Sequence, residues 1–281
     1  MTKITIGIPK NERLYPIVQS LLQNQGIICR REGRYFFSDS GKIRFVFASV
    51  IELAELLALG EIKCAFITRD HWEERVGRSM HGTTEFILSH LFNRSFPNHP
   101  RFDRNDYDYP SGRLEILKAF PQLGRCDIVF AARDNSYWTE AKRRGQDIAS
   151  ALITFKVPLL WGEIPRVMPC IVTRFVSLTK KYLHDRIVEH MHNKKLHFAL
   201  QRKIKEVNEW RYMPYIQYVH GDEELYVVTK TSDLAVVQTE TGETLRLHSL
   251  VPIETILTSH LILVGNKWLR EELGSILHFD L

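Results

Sequence analysis

Short apolar runs and helically spaced apolar residues take turns along the first quarter of the chain. Ile4–Pro9 (ITIGIP) is a compact apolar run and predicts a buried strand. Leu14, Ile17, Val18, Leu21 and Leu22 follow at three- and four-residue spacing, the signature of one helix face; Asn11 is placed to cap that helix and Gly26 to stop it. Lys42–Ser49 predicts a second strand, Val50–Gly60 a helix, and Lys63–Thr68 a third strand. Strand, helix, strand, helix, strand predicts a parallel sheet covered on both faces.

The pattern fails from Val76 to Gly112, where FPNHPRFDRNDYDYPSG reads as a long loop or insertion. Tyr107 and Tyr109 there are candidates for a lid or an interface. Order resumes with strands at Cys126–Ala132 and Met168–Thr173 and a helix at Ser177–His192. The runs ELYVVT, DLAVVQT, TLRLHSL and LILVG all read as strand-like, and Lys267–Leu277 as a short helix. No internal repeat or low-complexity tract breaks the chain.

Composition sharpens this. With 281 residues and 44% hydrophobic, the chain can fill one large α/β domain or two lobes. A net charge of +5 favours anionic partners such as nucleotides or sugar phosphates. No compact Lys/Arg block interleaves with aromatics, which argues against nucleic acid. The basic run Asn193–Lys205 reads as a solvated face. Cys29, Cys64, Cys126 and Cys170 show no C-x-x-C spacing and predict buried free thiols in a reducing compartment. His184, His190, His192 and His197 invite a metal, but residues two apart on a helix do not share a face. No signal pattern opens the chain and no apolar run nears the ~18 residues of a membrane span, so the expected place is the cytoplasm.

One stretch carries candidate chemistry: VVQTETGETLRLHS, Val236–Ser249. Taken alone, it fits a β-hairpin turning at Gly242. It also fits a phosphate loop. Gly242 permits close backbone approach, Thr241 and Thr244 supply hydroxyls, and successive N–H groups can form an anion nest. Glu240 and Glu243 oppose that, since like charge repels phosphate.

The wider run decides how the stretch is read. Gly221, Glu224, Asp233, Thr241, Gly242, Thr244, Leu245 and Leu250, followed by His260–Val264, keep an ungapped spacing that resembles the ATP phosphoribosyltransferase family. Lys10 and Arg13 in IGIPKNERL, Gly60 with Asp70, Gly124 with Cys126, and Ile171, Thr173, Phe175 and Tyr182 extend the resemblance to roughly 1–75 and 124–267. The likeness is to a short form without the C-terminal regulatory domain.

The resemblance implies an α/β fold of two lobes with mixed, mainly parallel sheets, periplasmic-binding-protein-like, and an active-site cleft between them. Lobe I is expected at 1–112 plus about 252–281, with the irregular insertion near 76–112. Lobe II is expected at 113–251 and carries the phosphate loop. The implied enzyme is a glycosyltransferase. It moves ribose 5-phosphate from phosphoribosyl pyrophosphate to ATP, releasing pyrophosphate with Mg2+, at the first step of histidine biosynthesis. Glu224, Lys10 and Arg13 are the implied catalytic residues. Glu240, Thr241, Gly242, Glu243, Thr244 and Leu245 form the implied phosphate loop. A homo-oligomer and a regulatory subunit are the implied protein partners. No metal-ligating side chains are expected.

The chain departs from the family where Val237 replaces an Asp, where Ser49 and Glu52 replace an Arg and an Asp, and where Lys63 and Ala65–Thr68 replace a D-x-G-I-x-G run. Glu243 is also foreign to the loop. Those departures favour an alternative: a non-catalytic paralogue that binds a nucleotide or phosphorylated ligand as a regulatory or partner subunit. A small-molecule binding protein of the same two-lobed shape is a third reading.

Overall fold

The computed structural model describes residues 3–31, 37–80, 114–155, 169–193 and 214–277. Along the chain run β1 (Ile4–Pro9), α1 (Tyr15–Gln23), β2 (Phe37–Ser40), β3 (Ile43–Ala48), α2 (Val50–Ala58), β4 (Cys64–Thr68), α3 (Arg69–Met80) and β5 (Leu114–Phe120). Then come β6 (Cys126–Arg133), α4 (Tyr137–Arg143), α5 (Ile148–Thr154), β7 (Cys170–Thr173), α6 (Val176–Asn193), β8 (Tyr215–Tyr218) and α7 (Glu223–Val228). The chain continues through β9 (Leu234–Thr239), α8 (Glu243–Leu247), β10 (Leu250–Ser259), β11 (Leu261–Asn266) and α9 (Arg270–Leu277).

The strands form a six-stranded sheet, β2-β3-β1-β4-β11-β5, and a five-stranded sheet, β10-β6-β9-β7-β8. Two compact units contain them: 1–125 with 259–281, and 126–258. The first crossing lies later than residue 112 because β5 pairs with β11 and so stays in the first sheet. The return crossing falls after 252 because β10 belongs to the second sheet until Thr258.

In the first unit, β3, β1 and β4 are parallel, as the strand–helix alternation requires. The remaining strands make the sheet mixed. β11 runs antiparallel to both β4 and β5. β2 turns back on β3 through Gly41, whose φ is 57°. The polar FSDS of β2 gave no alternation to read. Ile6, Ile8, Phe45, Phe47 and Phe66 are buried, and α1 and α2 cover them with Val18, Leu22, Leu53 and Leu57. The α1 turn is set by Asn11, whose Oδ1 accepts the Leu14 N–H at 2.9 Å. α2 begins with a full capping box. Ser49 Oγ accepts the Glu52 N–H at 3.2 Å, and Glu52 accepts the Ser49 N–H at 2.7 Å.

In the second unit, β9 and β8 lie parallel to β7, and β6 runs antiparallel to β9. Period-two alternation divides its apolar residues between two faces. Ile128, Phe130, Ile171, Leu234 and Val236 pack with Trp138, Ile148, Val176 and Leu183 of α4–α6. Val129, Ala131, Val172, Ala235 and Val237 pack with Val227 of α7 and Leu245 of α8. Tyr182 of α6 donates to Glu254 of β10, which also accepts the Ile148 N–H at 2.7 Å.

Three expectations are corrected. ELYVVT and TLRLHSL are largely helical, not strands. β8 and β9 both run parallel to β7, so the chain between them must cross over. α7 makes that crossover, and α8 closes the same face of the sheet. Residues 76–80 continue α3 rather than opening a loop. The rest of the insertion, including Tyr107 and Tyr109, lies outside the described residues, as do His197, most of the basic run and the side chains of His190 and His192. Cys29, Cys64 and Cys126 are buried and Cys170 is half-buried; all are free, and burial pushes the Cys29 thiol up to about 12. Among the described residues no helix is long and apolar enough to cross a membrane.

Gly7 in β1 is fixed by packing. A Cβ there would stand 2.7 Å from Leu53 Cδ2 and 2.8 Å from Ala65 Cβ. Gly7→Ala should cost about 1–3 kcal/mol, the range for overpacked cores, measured by urea denaturation. A midpoint equal to wild type would contradict this packing.

Candidate functional site

The C-terminal ends of β7, β8 and β9 lie at one edge of the second sheet, because those strands are parallel. In open α/β sheets that edge is where ligands bind. β6 starts at the same edge and β10 ends there, clipped together by Thr258 Oγ1 donating to Asp127 at 2.7 Å.

After Thr239 the chain leaves β9, turns at Gly242 and enters α8, so the stretch is a strand-to-helix loop and not a hairpin. Gly242 sits at φ 71° and ψ 8° as the residue before the helix. An added Cβ would meet nothing within 4 Å, so the left-handed torsion, not space, calls for glycine. Two threonines shape the loop. Thr239 Oγ1 accepts the Gly242 N–H at 2.9 Å, and Thr241 Oγ1 accepts the Glu243 N–H at 3.3 Å. Each hydroxyl keeps its own proton to donate. Glu240, Thr241, Glu243 and Thr244 are exposed, whereas Leu245 is buried against the core and anchors the loop.

Glu224 stands in the first turn of α7, half-buried, rather than at a strand start. Its neighbour Glu223 is the buried one, only 3% exposed, with Oε1 3.4 Å from Nε of Arg174. Burial raises the Glu223 carboxyl, and the Arg174 charge offsets part of that. Sequence reasoning passed over both. Arg174 lay between the motif positions Thr173 and Phe175. Glu223 was hidden by Glu224, although Val227 four residues on marks Glu223 as the inward phase of the helix. Asp233 is structural: it accepts the Cys170 N–H at 2.8 Å where β7 begins. Val237 is 1% exposed inside the second-face core.

The other expected cations belong to the first unit. Lys10 Nζ lies 3.4 Å from Glu52 Oε2, and both groups are exposed. The Ser49 N–H and Oγ together hold the Glu52 carboxyl below its usual value, with Lys10 adding to the effect. Arg13 Nη2 donates to the Gly124 carbonyl at 2.9 Å, tying the α1 turn to the loop after β5. Lys10 and Arg13 therefore have separate partners.

At the start of α3 a polar cluster is buried. Asp70, fully buried, accepts from Ser259 Oγ at 2.6 Å, and His71 Nδ1 lies 3.0 Å from its second oxygen. Thr68 Oγ1 lies 2.9 Å from the same His71 nitrogen. Burial pushes the Asp70 carboxyl up, but His71, Ser259 and Thr68 outweigh it and hold the group well below the carboxylate range. Among the described residues no set of three or more His, Cys, Asp or Glu is grouped to hold a metal ion.

Two outcomes follow from this geometry. A depressed folded pKa stabilises the fold above the unfolded value near 4, and the contribution fades as pH falls below it. Asp70→Asn should therefore lower stability at pH 7 by on the order of 2–3 kcal/mol and flatten the Tm decline below about pH 4. Thermal melts across pH 2–7 read both effects; parallel curves for the two proteins would refute the cluster's role. Val237→Asp should destabilise by on the order of 3 kcal/mol, since it buries a carboxylate in an apolar cluster. A melt within a degree of wild type would contradict that burial.

A family model described as ATP phosphoribosyltransferase matches residues 122–278. An ATP phosphoribosyltransferase from Metallosphaera sedula is 27% identical over 131 residues, covering 45% of this chain. The match spans only 38% of that relative's length. A chain of the ATP phosphoribosyl transferase (HisG:HisZ) complex from Thermotoga maritima aligns with a TM-score of 0.57 and 18% identity, covering 98% of this chain and 96% of that one, a likeness of fold.

Proposed function

The chain belongs to the ATP phosphoribosyltransferase family, and we propose that it transfers ribose 5-phosphate from phosphoribosyl pyrophosphate to ATP in the cytoplasm. The observation that carries this reading is the glycine-turned loop at the end of β9. Thr239 and Thr241 arrange its amides, and its exposed hydroxyls stand at the ligand-binding edge of the sheet. In such a transfer the anomeric carbon becomes cationic as pyrophosphate leaves, so the protein's work is to hold anions and place the nucleophile. The loop takes the 5-phosphate and Glu224 takes ribose hydroxyls. Lys10 and Arg13 of the first unit are the candidate cations that the resemblance implies for pyrophosphate or nucleotide phosphates. Magnesium, when bound, screens the pyrophosphate charge. It is carried with phosphoribosyl pyrophosphate. A second copy of the chain and a regulatory subunit are the proposed partners.

Val237 favours a second reading. An apolar core residue fills the place of a carboxylate expected beside the ribose, which suits a subunit that binds the ligand without turning it over. Pyrophosphate release with ATP and phosphoribosyl pyrophosphate separates the two. Turnover supports the enzyme. No turnover, with phosphoribosyl pyrophosphate at ~100 times Kd adding about 2.7 kcal/mol of stability, supports the binding subunit. Gly242→Asp should remove either response, because it adds a negative charge where the phosphate sits while aspartate tolerates the torsion. Neither turnover nor stabilisation in the wild type would sink both readings.

A further inference from the structure

The segments that follow β8, β7 and β9 are Val219–Glu224, Arg174–Val176 and Thr239–Leu245. Arg174 is the single lysine or arginine in them, while Asp222, Glu223, Glu224, Glu240 and Glu243 bring negative charge. A phosphate held here by the loop alone would face like charge on both sides. The strand register places Arg174 well. Thr173 pairs with Val236, so Arg174 leaves the sheet beside Val237, two residues before Thr239. Strand rise and spacing put the two backbone positions roughly 8 Å apart, and a long side chain bridges much of that.

Arg174 is also held in an unusual way. Its guanidinium lies over the Phe175 ring at 5.2 Å, and its Nε faces Glu223 at 3.4 Å. Neither that Nε nor Glu223 Oε1 completes a hydrogen bond among the described residues. Glu223 is buried, yet the Arg174 side chain keeps 34% of its surface exposed. A buried carboxylate in a loose pair is a poor stabiliser, since apolar residues of like volume do as well or better. Its value is positional. A carboxylate fixed on one side of a guanidinium orients the remaining N–H fork for a second anion.

We infer that Arg174 is the cation that contacts a phosphate ester bound at this edge, a diphosphate such as phosphoribosyl pyrophosphate, and that Glu223 positions it. The inference rests on the phosphoribosyl reading above and adds a contact to the same site. Burial of Glu223, which raises its carboxyl, fits a group held for orientation rather than for solvation.

Calorimetric titration of the full chain tests it, with phosphoribosyl pyrophosphate and inorganic pyrophosphate as separate probes. Arg174→Gln/Glu223→Gln removes both charges together and leaves no stranded buried carboxylate. It should weaken both probes ten-fold or more, with Tm within a few degrees of wild type. Arg174→Lys, which keeps charge without the fork, should lose about three-fold. In the wild type, saturating phosphoribosyl pyrophosphate should shield Arg174 from phenylglyoxal, read by mass spectrometry; this arm stands even if the double variant does not fold. Unchanged affinity in the double variant, or an unshielded Arg174, overturns the assignment. Gly242→Asp separates this from the loop. If it binds normally while the double variant does not, the loop reading fails and Arg174 stands. The reverse result removes Arg174 and keeps the loop. Binding of neither probe by the wild type overturns both.

Discussion

β9 buries Leu234 and Val236 on one face and Ala235 and Val237 on the other. A strand apolar on both sides must be covered on both sides. α4–α6 cover the first face. The second is closed by α7 and α8, helices of only six and five residues. Helices that short have little stability of their own and persist through packing, here by Val227 and Leu245. Their position brings Glu224 to the end of β8 and the Gly242 loop to the end of β9. The demand of one strand for two covers thus sets where the candidate chemistry stands.

That coupling explains what could be read in advance. β1, β3, β4, β6, β7, β9 and β11 announced themselves as apolar runs, because burial writes itself into composition. α7 and α8 did not. ELYVV and TLRL are short, partly β-branched and too brief for a helical period to show, so local propensity pointed to strands. What makes α7 helical is the parallel pairing of β8 and β9 with β7, and α8 is held on the same face by Leu245; no local window contains either constraint. The loop was legible because spacing across forty residues is a non-local signal. The Arg174–Glu223 pair was not, since its members lie 49 positions apart in sequence (223 − 174) and neither falls on a motif position.

The first unit shows a parallel exchange of roles. Ser49, where the resemblance has an arginine, is spent on capping α2, and Glu52 completes the cap while drawing Lys10 toward it. Capping is worth about 1 kcal/mol, so the substitution strengthens the frame at that strand end as it removes a cation from it. A carboxylate tethered at the helix start already satisfies the amides there, and an incoming phosphate has less to gain.

Gly242 and Leu245 divide the loop into two kinds of position. One is dictated by torsion and the other by the core, but Glu240, Thr241, Glu243 and Thr244 answer to neither. Exposed substitutions of that sort usually change stability by less than about 0.5 kcal/mol. Selection can therefore change the loop's exposed chemistry one residue at a time with little loss of folded protein, so the surface at this strand end can drift while the fold beneath it stays.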